Sequence, residues 1–153
     1  MNATATALKP RGCTNFKLRQ LSRAMTRHYD AYVIGTGLKI TQYSLLSIVV
    51  HEGPIQPVEL ARQMKLDAST LTRNLQPLLA QGWLEMGPGA DARSRSIVAT
   101  DAGRAKHTEA HRAWKQAQLA LNAQLGDARV VRLHELIDAC LADLDHMKDA
   151  ADE

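Results

Sequence analysis

The stretch PVELARQMKLDASTLTRNLQPLLAQGWLEMGPGADARSRSIVAT (57–100) decides the fold, because its apolar residues fall first at helical spacing and then in two short alternating runs. Pro57 suits the first position of a helix, where a missing N–H costs nothing. Val58, Leu60, Ala61 and Met64 follow at helical spacing, and Lys65-Leu66 ends that helix. Asp67 can cap the next helix through its carboxylate, and Ser69 and Thr70 in the first turn suit the same work. Leu71, Leu75, Leu78 and Leu79 share one apolar face, which turns Ser69, Thr72, Arg73 and Gln76 to the other side. That second face carries hydroxyls and an arginine without a carboxylate, a composition suited to a major groove. Pro77 lies inside this helix. It removes the hydrogen bond to the Arg73 carbonyl and predicts a kink, at a typical cost of about 3 kcal/mol.

Beyond the second helix, Gly82 suits a helix stop, Trp83–Met86 and Ser96–Ala99 read as strands, and residues 87–95 form the loop between them. Arg93 and Arg95 on that loop can contact phosphates or enter a minor groove, where the negative potential is concentrated. Asp91 would then brace the loop by pairing with Arg93 or Arg73. Two helices, a turn and a basic hairpin in succession make a winged helix-turn-helix. The rest of the chain reads as helix. Thr14 or Asn15 can cap a first helix reaching about Ile34, with Leu18, Leu21, Met25, His28 and Tyr32 on one stripe and Arg19, Arg23 and Arg27 opposite. Gly35-Thr36-Gly37 breaks it, and Thr41 can cap a second helix through Val50. Thr100 starts a long helix on which Ala110, Ala113, Trp114, Ala117 and Leu121 recur, and Gly126-Asp127 divides it from the last.

These residues resemble the MarR family of bacterial transcriptional regulators. GLKITQYSLLSIV (37–49) is similar to the family's second-helix region, VELARQMKLDASTLTRNL (58–75) to its helix-turn-helix, and DARSRSIVATDAGRA (91–105) to its wing and the following helix start. The family's wing carries an Asp-Arg-Arg pattern; here Asp91-Ala92-Arg93 keeps the acid and the second arginine, and Arg95 can compensate for the missing one. Thr100-Asp101-Ala102-Gly103 matches the family's Thr-x-x-Gly. The resemblance implies a mainly α fold with a small β-hairpin wing, and a homodimer built by helices from both termini. Residues 1–36 would be an N-terminal dimerisation helix, 37–100 the winged DNA-binding region, and 101–153 C-terminal dimerisation helices. It also implies a repressor on double-stranded DNA, released when a small aromatic or phenolic effector enters the cleft between the dimerisation helices and the winged module. By position, His28, Tyr32 and Trp114 would line that cleft, although each also suits an ordinary helix interface.

Composition and charge fit this reading. The chain has 153 residues, 45% of them hydrophobic, with one Phe, two Trp and three Tyr, so its core must be built from Leu and Ala on packed helices. Residues 1–126 carry 16 Lys and Arg against 8 Asp and Glu, whereas 127–153 carry 3 against 8. A basic body with an acidic last element results. No run approaches the roughly 20 apolar residues of a membrane span, and residues 1–12 lack a signal peptide's apolar run, which predicts a cytoplasmic protein without a membrane partner. The last helix carries a stripe of Val130, Leu133, Ile137, Cys140, Leu141, Leu144 and Met147, too long for one small domain to cover, and so points to two chains packing together. A two-fold dimer sets its reading helices about 34–36 Å apart and predicts a pseudo-palindromic operator.

In this reading Arg73 and Gln76 contact base edges, Ser69, Thr70 and Thr72 position on phosphates, and Arg93 and Arg95 anchor the wing. One branch of the family senses hydroperoxides through a cysteine near the start of the first helix; in register that position is Asn15, and Cys13 lies two residues earlier among Lys9, Arg11 and Lys17. A thiol-sensing repressor is therefore a second reading, while Cys140 on the apolar stripe suits a core position. His107 and His111 stand four apart, as paired metal ligands would, but lack a third ligand in sequence. No cofactor or metal is expected. Neither a G-x-S-x-G nor a G-x-x-x-x-G-K motif is present, so the reading is not enzymatic. A winged module that binds protein instead of DNA is the remaining alternative, disfavoured by the polar and charged reading face.

Overall fold

The structure, a computed structural model, describes residues 9–87 and 95–151, with side chains to Met147. Six helices and a hairpin follow in the order α1 (Thr14–Val33), α2 (Ile40–Glu52), α3 (Pro57–Met64), α4 (Ala68–Ala80), β1 (Leu84–Gly87), β2 (Ser96–Ala99), α5 (Asp101–Leu125) and α6 (Asp127–Ala151). The expected winged helix-turn-helix is α3, α4 and the hairpin, with α2 packed behind it. Its strands pair antiparallel, Leu84 opposite Ala99 and Gly87 opposite Ser96. Ile55 exchanges two backbone hydrogen bonds with Ile97 (3.1 and 2.8 Å), adding a one-residue third strand to the free edge of β2. That strand was invisible in sequence because a single paired residue carries no alternation.

Each helix of the central module starts and stops for a local reason. Pro57 occupies the first turn of α3. Lys65 closes α3 in the left-handed region (φ 55), with its N–H on the Arg62 carbonyl and the Leu66 N–H on that of Ala61. This is a Schellman ending on a residue with a side chain, where glycine is usual. Gly82 (φ 71) ends α4 in the same way, through Gly82 N–H to Leu79 and Trp83 N–H to Leu78. Between these stops α4 runs unbroken through Pro77.

Helix α2 is the buried centre. Leu38 just before it, and Leu45, Leu46 and Val49 on it, are at most 1% exposed, and they meet Leu60, Leu71, Leu78, Leu84 and Ile97 from the surrounding elements. Its start is not capped by Thr41, as the sequence suggested. The helix begins at Ile40, whose N–H donates to Asp30 Oδ1 on α1 (2.7 Å), while Gln42 Oε1 takes the Lys39 N–H (2.8 Å). An acid ten residues upstream thus does the capping, a contact only the tertiary fold creates. Similarly, Cys13 and not Thr14 or Asn15 is the residue that precedes the first turn of α1.

The junction between wing and α5 is closely packed. The Thr100 hydroxyl donates to the Gly82 carbonyl (2.6 Å) and accepts from the Gly103 N–H (3.0 Å), while the Thr100 N–H bonds the Trp83 carbonyl (3.1 Å). A Cβ on Gly103 would lie 1.9 Å from the Trp83 oxygen, so no larger residue fits without moving backbone. Lys106 covers the Trp83 ring at 5.4 Å and reaches the Thr36 carbonyl (2.8 Å), tying the same corner to the turn after α1.

Apolar positions on three helices are exposed within the single chain. Val58 is 80% exposed because only Leu60 and Ala61 of its helix turn fully inward. On α6, Val130 is buried and Leu133 half-buried, but Leu141, Leu144 and Met147 are exposed, as is Cys140. On α1, Leu18 and Leu21 are exposed as well. The core expectation for Cys140 therefore fails within one chain, where Cys140 is exposed although Asp145, farther along α6, pairs with Lys65 at the end of α3. Among the described residues, no single helix is long and apolar enough to cross a membrane.

The junction makes a sharp stability prediction. Gly103→Ala gains helix propensity of about 1 kcal/mol, yet overpacking against the Trp83 backbone, typically about 1–3 kcal/mol and more where backbone must move, should outweigh it. Its thermal unfolding midpoint should fall well below that of Ala102→Gly, the neighbouring propensity control; an unchanged or raised midpoint for Gly103→Ala would refute the close approach.

Candidate nucleic-acid interface

The outward side of α4 is built by one capping carboxylate. Asp67 Oδ1 accepts from the Thr70 N–H and from the Ser69 hydroxyl (2.7 Å each), and Oδ2 accepts from the Thr70 hydroxyl (3.0 Å). The Ser69 hydroxyl, followed by the two Thr70 donors, holds the acid down to a pKa of about 2. The capping role read from sequence is thus in place, with a consequence that reading missed. The Ser69 and Thr70 hydroxyls already donate hydrogen bonds to Asp67, and the Thr72 hydroxyl donates to the Ala68 carbonyl (2.9 Å). A phosphate offers only acceptors, so each hydroxyl must leave its internal partner to bind one.

Arg73 and Gln76 stand exposed on the same face. The Arg73 guanidinium touches the Thr70 hydroxyl oxygen at 3.5 Å, a long contact that leaves most of its donors outward. Beside it, Lys39, Thr41 and Gln42 from the start of α2 join Arg73, Asn74 and Pro77 around a concavity of about 210 Å³. It holds two cations and no acid. Sequence reasoning missed Lys39, Thr41, Gln42 and Asn74, because nothing in their spacing reveals that α2 begins beside the middle of α4. Arg95 is exposed at the foot of β2. Asp91 and Arg93, assigned to the wing and its brace, lie outside the described residues.

Of the three residues expected to line an effector cleft, His28 and Tyr32 are in ring contact, and Trp114 lines cavities toward α2 and α6. His28 Nε2 bonds the Ala117 carbonyl (2.8 Å) and the His28 ring touches Tyr29 and Tyr32 (5.4 Å each), so His28 belongs to the seam of α1 and α5. Tyr32 is 41% exposed. Trp114 does line cavities. One, of about 360 Å³, is walled by Tyr43, Ser44, Ser47, Ile48, His51 and His111 between α2 and α5; a larger one of about 520 Å³ lies toward α6 with Gln118, Asn122, Val130 and His134 among its walls.

His107 and His111, considered as metal ligands, are engaged otherwise. Tyr43 stacks on His107 (5.5 Å, 3°) and its hydroxyl meets His111 Nδ1 at 3.0 Å, while His107 Nε2 lies 3.2 Å from the Ser47 hydroxyl. Among the described residues no group of three His, Cys, Asp or Glu is placed to hold a metal. Cys13 is exposed at the start of α1.

Comparison with known proteins agrees with this geometry. The model of the MarR family matches residues 36–94. The HTH-type regulator YwoH of Bacillus subtilis is 26% identical over 93 residues, covering 61% of this chain and 68% of that protein. The multiple antibiotic resistance protein MarR of Salmonella typhimurium is 33% identical over 72 residues, covering 47% of this chain and 50% of its own length. Among solved structures, the Mycobacterium tuberculosis regulator MosR in complex with DNA superposes with a TM-score of 0.69 at 29% identity, over 84% of this chain and 98% of MosR. A MarR variant of Escherichia coli with operator DNA shares the fold, with a TM-score of 0.75 at 24% identity, over 83% of this chain and 92% of that one.

The Asp67 cap gives a pH signature. Its folded pKa lies below the ordinary value, so the carboxylate stabilises the protein fully above about pH 4 and loses that contribution as pH falls toward its folded value near 2. Asp67→Ala should unfold at a lower temperature at neutral pH, with the difference shrinking steadily below about pH 4. A pH-independent difference would remove the charged cap as its cause.

Proposed function

The chain belongs to the MarR family of winged helix-turn-helix transcriptional regulators, and from that membership we propose that it binds a pseudo-palindromic operator in double-stranded DNA as a homodimer. The observation that carries this reading is the exposed Arg73 and Gln76 face of α4 beside the acid-free concavity of Lys39 and Arg73. Arg73 and Gln76 read base edges in the major groove. Lys39 and Thr41 hold the flanking backbone and Arg93 and Arg95 anchor the wing. Ser69, Thr70 and Thr72 join only by exchanging their internal bonds for phosphate oxygens. That MosR, alike over nearly its whole length, is known in complex with DNA supports the assignment.

Residues 37–100 form the DNA-binding region in this proposal, and 1–36 with 101–153 form the dimer. The exposed apolar residues of α1 and α6, among them Phe16, Leu18, Leu141 and Leu144, support a second copy as their cover. The protein acts as a repressor. Its effector is a small aromatic or phenolic molecule taken up between α2 and α5, where Tyr43 and Trp114 offer ring faces and His51 and His111 offer polar edges. A thiol switch at Cys13 has only its exposure in favour.

Selection of bound fragments from the source genome with purified protein tests this reading, followed by titration at two salt concentrations. Affinity should fall steeply with salt through counterion release. Arg73→Ala should cost about tenfold or more on the selected site, whereas Arg95→Ala should weaken all sequences alike and reduce the salt slope by about one. Failure to enrich any fragment would leave a protein-binding winged module. For the dimer, sedimentation should give twice the chain mass for the parent and a single chain for Leu141→Asp combined with Leu144→Asp; a parent that sediments as one chain refutes it.

A further inference from the structure

Between α2 and α5, three histidines and a tyrosine pack together in a site that the proposed DNA contacts do not use. His107 is 8% exposed, the one buried polar side chain among the described residues. Its ring lies flat on Tyr43 (5.5 Å, 3°), takes the edge of His51 at 5.2 Å, and stands 5.9 Å from His111. His111 in turn stacks on Trp114 (5.3 Å). Hydroxyls and a carbonyl serve these rings: Ser47 Oγ for His107, Tyr43 OH for His111, and the Ser47 carbonyl for His51 (2.7 Å).

We propose that this cluster is an acid-sensitive joint, in which protonation loosens α2 from α5 and so frees the winged module from the helix that carries it. The groups facing His107 are Tyr43 and His51 from α2 and His111 from its own helix. The neighbouring acids are turned to other partners: Glu52 to Gln63 on α3 (2.6 Å), Glu109 to Lys106 (2.8 Å), and Asp30 of α1 to the start of α2. On α1, His28 and Tyr29 bond to Ala117 and Gln118, farther along α5. The strand that packs here, β2, has no titratable residue. An imidazolium at this place therefore meets other imidazoles and a phenol, and finds no carboxylate to balance it. Burial first, then His51 and His111, hold His107 below its ordinary pKa, so these effects outweigh the attraction of the Tyr43 face. Burial also keeps Tyr43 in its neutral form, with its pKa raised.

The direction follows from linkage. A histidine whose folded pKa is depressed contributes its full stability above the unfolded value near 6.5, and loses it as pH falls from there through the folded value. Because α2 leads directly into α3 and α4, a loosened joint is felt at the DNA face; this last step rests on the regulator reading above.

Hydrogen exchange between about pH 7.5 and pH 5.5, the range in which histidine titrates, tests the joint without DNA. Corrected for intrinsic rates, exchange in residues 40–52 and 107–114 should quicken about tenfold at the lower pH in the parent and stay constant in His107→Gln. His51→Gln, at an exposed position, should show a reduced response and serves if His107→Gln fails to fold. An unchanged rate in the parent, or an equal response in the variant that folds, overturns the proposal. On a fragment selected at neutral pH, the parent should also lose about tenfold in affinity at the lower pH and the variant much less. Exchange that responds without a loss of affinity refutes the coupling to DNA, whereas a chain that retains no fragment at any pH refutes the regulator and leaves exchange to decide the joint.

Discussion

Everything in the winged module is referred to one corner, where the end of α4, both ends of the hairpin and the start of α5 meet. Thr100 holds it with three hydrogen bonds, two through its hydroxyl and one through its N–H. Gly103 lets the backbone of α5 lie against the Trp83 carbonyl at a distance no Cβ allows. A single threonine thus satisfies an orphan N–H at the start of one helix and an orphan carbonyl beyond the end of another, groups that would each cost free energy if buried unpaired. Because the hairpin leaves and returns at this corner, the direction of the wing is set relative to α4 and α5 together.

From that corner the architecture spreads through α2. Its apolar face closes the core, its first N–H is capped by Asp30 of α1, and its outer rings meet the histidines of α5. The two sides of α2 follow different physics. Leu45, Leu46 and Val49 make a dry, close-packed contact of the kind that has a single good arrangement. Tyr43, Ser47 and His51 make a polar one, whose strength depends on which nitrogens carry protons. The reading helix packs on the first side, whereas α5 meets both, through Ala110 in the core and through His107 and His111 at the polar contact.

The candidate interface was half legible in the sequence. Arg73 and Gln76 could be set opposite the leucines of α4 by periodicity alone, and Asp67 was readable as a cap because capping is local. Periodicity could not reveal that the same cap would take the hydrogen bonds of Ser69 and Thr70, since an outward position says nothing about the partner a hydroxyl has chosen. Nor could it place Lys39 and Thr41 beside Arg73, more than thirty positions away. Nor could periodicity decide what His28, Tyr32 and Trp114 meet: helical position fixes which face a residue occupies, and the neighbouring helix decides what that face meets.

Sequence by itself determined the order of elements, the turn chemistry at Pro57, Gly82 and Gly126, the strand pair, and the apolar faces, because each depends on contacts within a few residues or on the period of the chain. Tertiary structure alone decided the cap that Asp30 gives to α2, the third strand at Ile55, the exposure of the α6 stripe within one chain, and the meeting of His51 with His107 and His111. Those features join residues from ten to more than fifty positions apart, or depend on which face of a helix the rest of the chain covers. A linear pattern carries the preference of each residue for a face, but the distance between two faces exists only after the chain has closed on itself.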